Sequence, residues 1–90
     1  MERQELLMSD HEFDVLDELY FVVSYEQLKE ACEMAEEDLV NTLVLLSKKG
    51  WIRILNTVDE DAAEPLELKA KYHTYFYLAS KKGLLAHNSN

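Results

Sequence analysis

The chain holds one cysteine, one proline and two glycines in 90 residues. Cys32 has no partner for an internal disulfide, so a small secreted scaffold held by disulfides is excluded. His11, His73 and His87 are scattered in sequence and no cysteine pair accompanies them, so no metal site is expected. With glycine only at positions 50 and 83, there is no glycine-rich phosphate loop. Apolar runs are short, as at residues 43–46, far below the roughly 20 residues that span a bilayer. No basic-then-apolar leader opens the chain, and a reducing cytoplasmic setting is expected.

Positive charge is the next scarcity. Nine Lys and Arg face eighteen Asp and Glu, a net charge of −9, where a nucleic-acid binder usually carries a basic face. The acid is uneven. Residues 1–47 hold two basic and thirteen acidic side chains, a local net of −11, whereas residues 48–90 hold seven and five, a net of +2. What is present is an ordinary globular composition, 48% hydrophobic and 30% charged, which at this length supports one domain without internal repeats.

Local signals place the helices. Ser9-Asp10-His11-Glu12 is a capping box, in which hydroxyl and carboxylate each bond the other residue's amide. Phe13, Leu16, Leu19, Tyr20 and Val23 follow at helical spacing, with Phe21 and Val22 off that stripe. Ser24 and Gln27 repeat the box ahead of Leu28, Ala31 and Cys32, and a break falls at Glu33-Met34-Ala35. A third helix is expected over residues 36–49. Glu36, Glu37 and Asp38 at its start and Lys48 and Lys49 at its end both complement the helix dipole. Gly50 suits a left-handed C-terminal cap.

Beyond Gly50 the period becomes two. Trp51, Arg53 and Leu55 alternate with Ile52 and Ile54 as a strand. Residues 56–65 read as a loop carrying Asp59, Glu60, Asp61 and Glu64, and residues 66–79 as extended chain. In that stretch Tyr72, Thr74, Phe76 and Leu78 would share one face, and Lys71, His73, Tyr75 and Tyr77 the other. Residues 80–85 begin a last helical turn, and residues 88–90 read as a frayed end.

The segments Met34-Ala35-Glu36-Glu37-Asp38-Leu39, Leu46-Ser47-Lys48-Lys49-Gly50-Trp51-Ile52 and Tyr77-Leu78-Ala79-Ser80-Lys81-Lys82-Gly83 resemble a winged helix domain. The likeness is to MarR-, PadR- and ArsR-like regulators. It implies a mainly α fold with a small β-hairpin, a three-helix winged helix-turn-helix (α+β) domain. Residues 9–85 would form that domain, residues 1–8 an N-terminal arm and residues 86–90 a tail. It also implies a third helix that enters the DNA major groove, with Glu36, Glu37, Asp38, Val40, Asn41 and Val44 at the contact positions.

Those positions carry the wrong chemistry for DNA. At about 100° per residue, Leu39, Leu43 and Leu46 form the core stripe. Glu37, Asn41 and Lys48 point away from it, flanked by Val40 and Val44 on one side and Leu45 on the other. Base edges and phosphates are met by Arg, Lys, Asn, Gln, Ser or Thr; of the outward residues only Asn41 and Lys48 qualify. The loop that corresponds to the wing tip offers four acids.

A protein partner is therefore expected, bound by Glu36, Glu37, Val40, Asn41 and Val44 through an apolar centre with an acidic rim. The plainer alternative is that another segment of the chain, such as residues 1–8, covers the valines. A DNA-binding regulator would instead need Lys48, Lys49, Arg53, Lys69, Lys71, Lys81 and Lys82 in one continuous strip. No catalytic group and no cofactor is expected. Cys32 reads as a small hydrophobe, and Trp51, Tyr72, Tyr75, Phe76 and Tyr77 as core packing. A homodimer through Leu6, Leu7, Met8, Leu84 and Leu85 suits either reading.

Overall fold

A computed structural model describes residues 8–57, 60–61 and 68–89. In chain order these form α1 (Asp10–Asp17), β1 (Val23–Ser24), α2 (Tyr25–Cys32), α3 (Glu36–Lys49), β2 (Ile52–Thr57) and β3 (Glu60–Asp61). There follow α4 (Leu68–Lys71), a 3-10 turn (Tyr72–Thr74), β4 (Phe76–Ala79) and α5 (Lys81–Asn88). The fold is helix-rich with a small antiparallel sheet ordered β1-β4-β2-β3. No described helix is long and apolar enough to cross a membrane.

Both capping boxes form. Ser9 Oγ accepts from the Glu12 amide at 3.1 Å while the Glu12 carboxylate accepts from the Ser9 amide at 2.9 Å. Ser24 and Gln27 do the same for α2. The third helix spans the expected residues, with Gly50 at φ 75° as its left-handed cap. Its amide and that of Trp51 close onto Ser47 O and Leu46 O. The break before α3 is made by Glu33 at φ 54°.

The first helix is shorter than its apolar stripe. Glu18 and Leu19 amides turn back to Val15 O and Leu16 O, and the Leu19 carbonyl accepts from Ala79. Val23 and Ser24 then pair with Tyr77 and Phe76. The Leu19 carbonyl and the backbone of Val23 and Ser24 thus bond to β4 instead of continuing the helix. The buried face of α1 is Glu12, Val15 and Leu16, while Phe13 and Tyr20 are exposed at their edges.

The expected extended run over residues 66–79 is corrected. Residues 66 and 67 lie outside the described set, residues 68–74 coil as α4 and the 3-10 turn, and only Phe76–Ala79 is strand. Short-range bonds hold the coil: Thr74 Oγ1 donates to Lys71 O, and the Tyr77 hydroxyl donates to Tyr72 O. Leu68 is anchored in the core. From Tyr75 through the strand the expected alternation holds, with Tyr75, Tyr77 and Ala79 buried and Phe76 and Leu78 half-buried on the other face; it fails only for residues 71–74. The expected loop at residues 56–65 is also partly strand, since β2 continues to Thr57 and pairs with β3. Asp59 and Glu64 of that loop lie outside the described residues, as do residues 1–7 of the arm.

One core unites the elements, drawing Val15, Leu16 and Leu19 together with Leu28, Leu39, Leu43, Leu46, Trp51, Ile54 and Tyr77. The C-terminal end is structured rather than frayed through Ser89. α5 runs to Asn88, whose carboxamide oxygen accepts from the Tyr20 hydroxyl at 3.1 Å. His87 stacks on Phe13 with centroids 4.3 Å apart, meets the Tyr20 hydroxyl through Nδ1 at 2.8 Å and faces Asp17 through Nε2 at 3.4 Å.

Candidate functional site

The first half of α3 and the segment after β3 build a groove of about 380 Å³. Glu36, Glu37, Val40 and Asn41 line it from α3, and Lys69 and Tyr72 from α4 and the turn after it. Four of the five residues assigned to a partner from sequence therefore meet in one place. The fifth, Val44, is half-buried against the core and does not line the groove.

Val40 needs correction as a free contact. It is 8% exposed and belongs to the core, because α4 packs on α3 and Tyr72 and Lys69 share its groove. The cover supplied by the chain's own fold is this later segment, which sequence periodicity had placed in a strand. Leu45, on the other flank of the helix, is 50% exposed. The apolar part of the outer α3 surface is thus Leu45 with the edge of Val44, and Val40 forms the floor of the groove.

Local chemistry fixes the groove walls. The Tyr72 hydroxyl donates to the Glu36 carboxylate, tying the turn to the first turn of α3, and this bond raises the tyrosine's pKa. Tyr72 also meets the Tyr25 ring edge-to-face at 4.9 Å. Tyr25 is buried, and its hydroxyl finds no hydrogen-bond partner among the described residues. Burial first, then the neighbouring Glu36 and Tyr72, push its pKa up to about 12. These three residues come from α2, α3 and the turn before β4, a convergence that no local sequence signal marks.

Of the basic residues assigned to the alternative reading, Lys48, Lys49, Lys81 and Lys82 gather where the end of α3 meets the start of α5, while Arg53, Lys69 and Lys71 lie elsewhere. Lys49 donates to the buried Glu12 carboxylate at 2.7 Å and lies 4.5 Å from the Trp51 ring centroid. Arg53 donates to Asp61 at 3.0 Å across the β2–β3 pair. Lys69 stands in the groove beside Glu36 and Glu37, with Lys71 at the end of α4. Lys48 sits at the end of α3 and Lys81 and Lys82 at the start of α5. Those two helix ends are joined where Ser80 Oγ donates to Gly50 O at 2.6 Å.

Cys32 is half-buried, and burial, with Glu18 and Asp14 nearby, pushes its thiol up to about 11. A thiol so protonated at neutral pH is a poor nucleophile. Among the described residues no three metal-ligating side chains converge. No protein-family model, curated protein or solved structure matches this chain.

Proposed function

We propose that this chain is a non-enzymatic winged helix module that regulates by contacting another protein through its third helix. The observation that carries the reading is the sign and shape of that helix surface. Glu36 and Glu37 line an open groove with an apolar floor at Val40, and Leu45 stands exposed nearby. Three acids in the first turn of α3, against the single Lys69 of the groove, would face phosphate oxygens with a net negative charge, which opposes DNA binding. The winged helix assignment is supported by the element order and by β4 lying between β1 and β2. In it, α2 and α3 form the helix-turn-helix and β2–β3 opens the wing.

The DNA reading gains some support from Lys48, Lys81 and Lys82 sharing one end of the molecule. It loses more from Lys49 and Arg53, whose charges are engaged by Glu12 and Asp61. Mixed-sequence duplex DNA titrated in about 20 mM salt, where nonspecific phosphate contacts are strongest, is expected to give no saturable anisotropy change. Tight binding that weakens steeply with salt would replace the proposed function with the regulator reading.

The protein-binding face is tested by crosslinking in native extract. Val40 is unsuitable for substitution, since an aspartate there would put a carboxylate into the core. A Leu45→Asp variant, at the exposed position of that flank, is expected to keep its helical circular dichroism and lose the crosslinked partner. Undiminished crosslinking would move the contact to another face. Self-association remains part of the same proposal; of the residues expected to carry it, Leu85 is exposed, Met8 and Leu84 are partly buried against the core, and Leu6 and Leu7 lie outside the described residues.

A further inference from the structure

Resting on the protein-contact reading, we propose that the α3–α4 groove receives one arginine side chain from the partner. Glu36 and Glu37 would pair with the guanidinium, while Val40 and Tyr72 would flank its stem and plane.

Charge decides the ligand's sign. Glu36 and Glu37 outnumber Lys69 along the groove, and Asp38 adds a third carboxylate in the same helical turn. The positive end of a helix amounts to only about half an elementary charge, so these acids more than cancel it. A cation is favoured and a phosphate or carboxylate is not.

Shape and chemistry choose among cations. Val40 gives an apolar floor for methylene groups, which long basic side chains bury while their heads stay polar. Tyr72 supplies an aromatic ring suited to a guanidinium, and the Asn41 carboxamide an additional acceptor. Two neighbouring carboxylates match the flat, forked donor set of arginine better than the point charge of lysine. The open form of the groove suits a side chain presented from another surface.

The test is a titration of the full chain, followed by amide chemical shifts, with the capped tripeptide acetyl-Ala-Arg-Ala-amide. Shifts confined to residues 36–41 and 69–72, with half-saturation at about 1–10 mM, are expected for one partly solvated ion pair with stacking. The citrulline peptide, of the same shape without the charge, is expected to bind at least about fivefold more weakly. Free arginine is also expected to bind more weakly than the capped peptide, because its own carboxylate meets Glu36 and Glu37; the reverse order would point to a small-molecule site and overturn the proposal. Glu37→Gln should weaken the peptide about threefold and Lys69→Gln strengthen it about twofold, as like charge is removed. Glu30→Gln, an exposed acid on α2, should change nothing.

Equal binding of the citrulline peptide, or shifts spread over the whole acidic surface, overturns the arginine assignment. Should the arginine peptide fail while Leu45→Asp still abolishes crosslinking, the arginine site falls and the protein-contact reading stands.

Discussion

Replacing Gly83 by alanine is expected to lower the thermal midpoint by about 10–20 °C. This follows from about 2–3 kcal/mol of overpacking at roughly 4–8 °C per kcal/mol in a domain of this size. A Cβ at position 83 would lie 2.0 Å from the Trp51 carbonyl oxygen and 2.8 Å from its carbonyl carbon. Both are backbone atoms, and rotating a side chain cannot relieve the clash. The same Trp51 oxygen accepts from the Ser80 amide at 2.9 Å, and Ser80 Oγ caps α5 by accepting from Gly83 N at 3.0 Å. Shifting α5 to make room would break that seam and loosen its contact with α1. Gly50→Ala is the matched control. Gly50 has open space around a built Cβ and a φ of 75°, so it should lose only about 1 kcal/mol, the left-handed backbone penalty. Calorimetric melts of the two variants compare them directly, and equal losses would refute the close approach at Trp51.

The second large effect belongs to the pair Glu12 and Lys49. Glu12 is 3% exposed, a carboxylate in the buried face of α1, and Lys49 reaches it from the end of α3. Lys49→Met is expected to cost about 2–3 kcal/mol in urea unfolding, slightly below the range for fully buried pairs because the lysine is partly exposed. Most of the loss reflects the carboxylate left without its partner. Replacing both members, Glu12→Gln with Lys49→Met, should recover part of it.

The pH dependence has a definite sign. Burial raises the Glu12 pKa, but the hydrogen bond from Lys49, the Ser9 amide and the lysine charge together hold it below its ordinary 4.5. The stabilisation is therefore complete above about pH 4.5 and is lost as pH falls through the lower folded value. In Lys49→Met the lysine's hydrogen bond and charge no longer lower the Glu12 pKa, which therefore rises relative to the parent. The gap between this variant and the parent should then narrow as acid neutralises Glu12. Urea midpoints measured from pH 7 to pH 3 follow both trends; a gap that stays constant would show that the pair is not the source of the loss.

How legible the molecule was depended on the range of each interaction. Ser9 with Glu12, Ser24 with Gln27, and Gly50 behind Lys48 and Lys49 act within a few residues, so the starts of α1 and α2 and both ends of α3 could be read locally. β1 could not. Val23 pairs with Tyr77, and a two-residue strand leaves no periodic trace. Alternation over residues 71–78 suggested one strand because β propensity mostly reflects surroundings, whereas Leu68 and the Tyr77–Tyr72 bond impose a coil on the first part. The candidate site shows the same division. Its acids were visible in sequence, but the burial of Val40 depends on α4, and the grouping of Tyr25, Glu36 and Tyr72 depends on three elements meeting. Lys49 was read as a helix-end charge, since its bond to Glu12 spans 37 positions.

The sheet has a consequence for how this molecule tolerates crowding. Its outermost members, as described, are β1 and β3, each two residues long, and β3 is Glu60–Asp61. A stray strand zipping onto either rim finds few free amides there, and at one rim an anionic sequence. Addition of strands, the usual first step towards fibrils, is thereby discouraged, and concentrated solutions of the folded chain should resist cross-β growth for as long as those rims stay intact.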